Sequence, residues 1–369
     1  MKLFAACAVA GLIVSLASAT LAHDENKAAQ PGEKIERSLA VDPAVTVTLC
    51  VASGTLQVHG WEKNEVRVRS TDAGQIDFRR IEKAEKTKDT SKPPTRVDVM
   101  VLDQKMGARQ RLDCQALASI EMDVPAGATV QAQTRDGDIT IAGVAGAYAG
   151  SQNGDITIER ATKLVEAGSV GGSISLQNSS GRVFLNSAGG GIEVSNVRPA
   201  SDEDTFEVGT VSGDIQLDHV SIPRVIAKTV NGTVTMSGSL AKSGNYAFNN
   251  VTGDVVLELP HDASFQLNAK VSEKHAIVSD FNLKYINEPS APAPPAVKPK
   301  AVPEAKPPKP PVIKTQPMPR TGPVVAPIVV EKPTISVPYV LRRVTAICGT
   351  GDAMISVASF GGTIRLKKI

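Results

Sequence analysis

From residue 129 onward, apolar side chains fall on every second position in short runs, the period of a strand with one buried face. The runs come in pairs joined by turns. The stretch "TRDGDITIAGVAGAYAGSQNGDITI", residues 134–158, writes Gly-Asp-Ile-Thr-Ile at 137–141 and again at 154–158. Aligning on its glycine gives Gly137, Gly154, Gly172, Gly190, Gly213, Gly232 and Gly253, with differences of 17, 18, 18, 23, 19 and 21. Outlying copies stand at Gly54 and Gly362. After each glycine comes an alternating pair: Ile139/Ile141, Ile156/Ile158, Ile174/Leu176, Ile192/Val194, Ile215/Leu217, Val234/Met236, Val255/Leu257 and Ile364/Leu366. A second strand supplies Val130/Ala132, Ala147/Ala149, Val165/Ala167, Val183/Leu185, Phe206/Val208, Val225/Ala227, Tyr246/Phe248 and Phe265/Leu267. Helical periodicity is absent here.

Each copy therefore reads strand, turn, strand, turn. Dipeptides such as Asp136-Gly137, Asn153-Gly154 and Asn231-Gly232 put a residue tolerant of positive φ where the chain must bend. A hairpin series would look similar at one turn, but it would not return to the same corner with the same inward columns. The pattern predicts an all-β, parallel β-solenoid: a single-stranded, β-helix-like stack with rungs of about 19 residues. Seven to nine rungs at about 4.8 Å would make a rod of roughly 35–45 Å. Open ends of such a stack can add strands, which leaves self-association open.

Composition narrows the setting. The 369-residue chain has 40 Lys and Arg against 38 Asp and Glu, and only 4% aromatics. Neither a charged partner nor a base-stacking platform for nucleic acid is expected. Lys2 followed by "LFAACAVAGLIVSLASA" reads as a signal peptide over residues 1–22, which predicts export to a periplasm or cell surface. No later stretch is apolar enough to span a bilayer. Cys50, Cys114 and Cys348 would remain, so an oxidising compartment permits one disulfide. Cys50–Cys114 is the preferred pair because both lie in the N-terminal part; small buried hydrophobes are the alternative.

Residues 45–70, "VTVTLCVASGTLQVHGWEKNEVRVRS", contain Gly54-Thr-Leu-Gln-Val58, Gly60-Trp61 and Glu65-Val-Arg-Val68. With Val124-Pro-Ala-Gly-Ala128, the serial Gly-Asp-Ile copies and "GGTIRLKK" at 361–368, they resemble the "putative adhesin" β-strand-repeat family of exported bacterial proteins. The resemblance covers roughly 45–285 and 340–369 and implies a β-solenoid with an envelope or adhesion-like role. The departure is the insertion at 288–338, which holds 16 of the 24 prolines and a local charge of +4. Proline removes backbone donors, so this segment reads as a disordered, extended arm. The domain plan is a signal peptide at 1–22, a solenoid at 38–285, the Pro-rich insertion at 288–338, and closing strands at 340–369 that complete the last rung. Residues 76–96 read as a charged helix or loop.

No chemistry stands out. Asp138, Asp155, Asp214 and Asp254 follow the turn glycine and could form a calcium ladder, but Ser173, Gly191 and Thr233 interrupt it; turn chemistry explains the carboxylates better. Glu159, Glu166, Glu193 and Glu207 sit at different offsets from their turns, and the five histidines share no register with Ser, Cys or Asp. No nucleophile-elbow or zinc-protease motif occurs. The expectation is a non-enzymatic protein without cofactor or metal. A surface remains: an outward column Gln131, Tyr148, Glu166, Phe184, Glu207, Ile226, whose candidate binding residues are Tyr148, Phe184 and Ile226. The other sheet presents Thr140, Thr157, Ser175, Glu193, Gln216 and Thr235. The partner would be an envelope protein or glycan. The competing readings are a polysaccharide-active β-helix enzyme and an envelope-signalling accessory that recruits a partner through the Pro-rich arm.

Overall fold

A computed structural model describes residues 34–81, 92–103, 114–272, 276–286 and 341–369. Every element among them is a strand, and the strands form two sheets, of 13 and 14 strands. The alternating pairs account for this directly. In one sheet Ile139–Ala142, Ile156–Glu159 and Ile174–Gln177 lie parallel and in register, so that Ile139, Ile156 and Ile174 form one column. The column continues through Ile192, Ile215, Val234, Val255 and Ile364. In the other sheet Val130, Ala147, Val165, Val183, Phe206, Val225 and Tyr246 stack in the same way. Both columns face inward and join one continuous apolar core. The fold is a parallel β-solenoid with two strands per rung.

The turn glycines are forced by how closely the rungs approach. A Cβ on Gly154 would lie 2.0 Å from the carbonyl oxygen of Gly137, and one on Gly172 would lie 2.1 Å from that of Gly154. The relation recurs from Gly54, beneath the Ala118 carbonyl, through Gly137, Gly190, Gly213, Gly232 and Gly253 to Gly362, 1.7 Å from the Gly253 oxygen. No side chain fits at such distances. The opposite corner is looser. There the left-handed residues are Gly143, Arg160, Asn178, Asn196, His219 and Gly238, a second column in which side chains are tolerated.

The ends depart from a simple winding. Each sheet has eleven successive parallel strands among the described residues, more than the seven to nine rungs expected. Thr46–Ser53 and Leu56–Trp61 lie directly against the rung at 129–142, and Arg96–Asp103 and Ile120–Pro125 take the outer position. At the other end the closing strands do not complete the last rung. Ala353–Ser359 slots between Asn245–Thr252 and Phe265–Ser272, and Ile364–Lys368 between Val255–Leu259 and Ile277–Ser279. The reason is steric. The stretch 265–279 contains no glycine to fit under the Gly253 carbonyl, whereas the closing segment brings Gly362. Segments without the corner glycine are displaced to the ends.

Antiparallel strands then cover those ends. Ile35–Ala40 and Glu65–Ser70 flank one sheet, Ala73–Arg80 and Leu341–Cys348 the other. Of residues 76–96, expected as a helix or loop, 82–91 lie outside the described residues; 76–80 are instead strand, because Ile76 is buried in the core, Phe78 is half-buried against it and Asp77 faces away. At the C-terminal end Phe281 crosses the core mouth, edge-on to Phe265 at 5.4 Å, with the Lys368 ammonium 5.2 Å from its ring centroid. The signal peptide and the insertion at 288–338 lie outside the described residues. The strands that bracket the insertion, Lys284–Tyr285 and Leu341–Cys348, pair antiparallel, and the Ile286 amide donates to the Thr345 carbonyl at 2.9 Å. The described residues on either side of the insertion thus meet at one sheet edge.

Two glycines test the steric argument. Gly172→Ala should lower stability by about 3 kcal/mol or more in denaturant unfolding, since neither colliding backbone can move alone. Gly168→Ala, whose Cβ would meet nothing nearer than 4.0 Å, should leave stability within about 0.5 kcal/mol.

Candidate binding face

The inward pairs fix what faces out. On the sheet containing Gly146–Ser151, Leu164–Ser169 and Arg182–Ser187, the column Gln131, Tyr148, Glu166, Phe184, Glu207, Ile226 is cross-strand paired along its whole length. Tyr148, Phe184 and Ile226 are half-buried and recur on every second rung, about 10 Å apart by strand spacing. Glu166 between them is exposed, and Glu207 is paired with the Lys228 ammonium at 2.7 Å. The next column runs Gly150, Gly168, Asn186, Gly209, Lys228, so Tyr148 stands beside a glycine, Phe184 beside Asn186 and Ile226 beside Lys228. The outcome is a ribbed face of apolar groups alternating with carboxylates on an in-register sheet. The Thr140–Thr235 column lies on the other sheet and forms a polar ladder apart from it.

The acidic corner residues have a structural duty. Asp138 accepts the Asp155 amide at 2.9 Å, and Asp155 accepts the Ser173 amide at 2.7 Å. Asp214 and Asp254 do the same for Thr233 and Thr363. Each carboxylate thus secures the first amide of the neighbouring rung. Among the described residues no group of three or more His, Cys, Asp or Glu side chains is placed to hold a metal. Of the histidines, His23 and His275 lie outside the described residues. His219 donates through Nδ1 to the Asp218 carboxylate at 2.8 Å, and the carboxylate also accepts from the Ser237 hydroxyl. Those two hydrogen bonds hold the Asp218 carboxyl below its usual range. The carboxylate sits between serine and imidazole, so the imidazole is not placed to take a proton from that hydroxyl.

One set escaped the sequence reading. Three residues before the corner glycines stand Ser151, Ser169, Ser187, Thr210, Thr229 and Asn250, all buried. Ser187 Oγ donates to the Gly172 carbonyl at 2.9 Å and accepts the Gly190 amide at 2.9 Å. Ser151, Ser169, Thr210, Thr229 and Asn250 likewise reach the glycine carbonyl of the adjoining rung. Thr134 holds the same position, but its hydroxyl has no partner. The signal was present as Ser/Thr/Asn-x-x-Gly. Cys50 and Cys114 are joined in a disulfide with Cα atoms 4.7 Å apart, and Cys348 is a free, half-buried thiol whose pKa burial raises.

A family model, Toastrack DUF4097, matches residues 47–282. The chain belongs to that family. The matched residues of this toastrack chain run from its first inner strand to the Phe281 plug, and they stop short of the arm and the closing strands. No curated protein matches the chain. Among solved structures it is similar to one titled "Crystal structure of a putative cell adhesion protein from Clostridium sporogenes ATCC 15579 at 1.95 A resolution". That alignment has 9% identity and a TM-score of 0.19, and covers 91% of this chain and 100% of the other. No helix among the described residues is long and apolar enough to cross a membrane.

Removing one bracing hydroxyl, Ser187→Ala, should cost about 1–3 kcal/mol in denaturant unfolding, because a buried amide and a carbonyl both lose their partner. Asp204 gives a pH test. Burial opposes its charge, but the Ser201 and Ala200 amides and the Ser201 hydroxyl outweigh it and hold the carboxyl below its usual range. Its stabilisation is therefore full above the ordinary carboxylate range and fades as pH falls through the lowered folded value. The stability gap between wild type and Asp204→Asn should narrow on acidification in pH-series unfolding.

Proposed function

We propose that this toastrack chain is an exported, non-enzymatic envelope protein, adhesin-like or scaffolding, which binds a partner along its ribbed outer face. The observation that supports this most is the recurrence of Tyr148, Phe184 and Ile226 at two-rung intervals on an in-register sheet. Rigid rings cost little conformational entropy on binding, and the stack holds them at fixed spacing. Glu166 and the Glu207–Lys228 pair supply polar contacts between them. The partner this chemistry suits is an envelope glycan or protein. The same column places Glu166 and Glu207 on either side of Phe184, which keeps the polysaccharide-active enzyme as a competitor. Both carboxylates lie on an open face, however, where water is not excluded.

The arm carries a second reading. Residues 284–286 and 341–348, which flank the insertion in the chain, meet at one edge of the stack. A Pro-rich, basic loop so placed suits recruitment of a signalling partner.

A pull-down from envelope extract separates the readings. Tyr148→Ala/Phe184→Ala should weaken retention of the partner at least about tenfold with unfolding unchanged, as expected for half-exposed anchor residues. Deletion of 288–338 should leave retention intact. Loss only on deletion would favour the arm, and polysaccharide turnover abolished by Glu166→Gln or Glu207→Gln would favour the enzyme.

A further inference from the structure

We propose that the Cys50–Cys114 disulfide is a redox-released clasp for the N-terminal cap of the stack. Cys50 belongs to Thr46–Ser53, whose Val47, Leu49 and Val51 point inward and are fully buried; Cys50 alternates away from them and is half-exposed. Its strand partner Gln133 lies on the same outer surface. The bond therefore sits outside the core, within reach of a reductant, and breaking it opens no cavity among the aliphatics.

What it holds is specific. After Trp61 the chain leaves the stack, builds the cap strands Glu65–Ser70, Ala73–Arg80 and Arg96–Asp103, and returns at Cys114. The returning residues lie over the Gly54 corner: the Ala52 amide donates to the Ala116 carbonyl at 2.8 Å, and the Ala118 amide to the Ser53 carbonyl at 2.9 Å. They lead into Ile120–Pro125, which covers the outer edge of Leu56–Trp61. Arg96–Asp103 covers the edge of Thr46–Ser53. The disulfide, spanning 64 residues, closes a loop that contains Leu56–Trp61 and the cap strands Glu65–Ser70, Ala73–Arg80 and Arg96–Asp103, and none of the rungs from 129 onward. Cross-links limit the freedom of the loop they close, so this one acts on the cap and not on the stack as a whole.

The reaction needs a dithiol reductant. Its thiolate attacks one sulfur, forming a mixed disulfide and releasing the other cysteine as a thiolate that takes up a proton. The reductant's second thiol then displaces the protein sulfur, so two electrons pass to the Cys50–Cys114 pair and the reductant leaves as its own disulfide. With the clasp open, the cap detaches and reseats more often. Each detachment bares two parallel strand edges of the kind folded proteins keep covered.

Hydrogen exchange on the mature full chain, in a Cys348→Ser background, tests this with and without dithiothreitol. Exchange should quicken at least about tenfold across 46–61, 96–103 and 116–125, with the rungs at 206–259 unchanged. Cys50→Ser/Cys114→Ser in the same background should show the fast pattern at once and ignore the reductant. Unchanged exchange on reduction, or acceleration spread evenly through the stack, would overturn the proposal.

Discussion

The close approach of backbone to backbone at one corner governs this molecule. Nine successive rungs press a glycine Cα against the carbonyl of the rung before it, at distances where no Cβ fits. Once that corner is fixed, register follows, because a slip of one residue would turn every aliphatic pair to water. The buried hydroxyls three residues upstream and the carboxylates one residue downstream satisfy the polar groups that the corner leaves in the interior. The apolar columns provide the driving force, and the corner decides which arrangement of them is reached.

That same constraint explains the chain's order in space. A solenoid wound strictly in sequence would end with the residues nearest its C-terminus. Here the segment at 353–368 lies inside the one at 265–279, since only the former carries a glycine for the next corner. At the other end Gly54 lies inside, and the glycine-free return through Ala116 and Ala118 lies outside. The ends are then closed by antiparallel strands and by the Phe281 plug, so the chain supplies its own caps.

Much of this was legible in the residues. The period-two pairs from Ile139/Ile141 to Ile364/Leu366 predicted both inward columns, because alternation records burial directly. The glycine series predicted the corner, because nothing else tolerates it. The placement of the two end segments was not legible: strand order depends on long-range fit, which local pattern does not encode. The strand at Ala73–Arg80 was masked by its charges, of which Asp77 and Arg79 alternate away from the core-facing Ile76 and Phe78. The hydroxyl column was readable at a constant offset, yet Ser and Thr are so common in turns that their burial could not be inferred. For the binding face, the column's members were legible in the alternation, and the structure added the Glu207–Lys228 pair beside them.

Distance measurement between rungs addresses the central claim most directly. Spin labels at Thr140 and Thr235, on the outer face with the native thiol at Cys348 replaced, are five rungs apart through Thr157, Ser175, Glu193 and Gln216. A parallel ladder predicts one narrow separation near 24 Å, five times the strand spacing of about 4.8 Å. A broad distribution, or a separation unrelated to the number of intervening rungs, would contradict it.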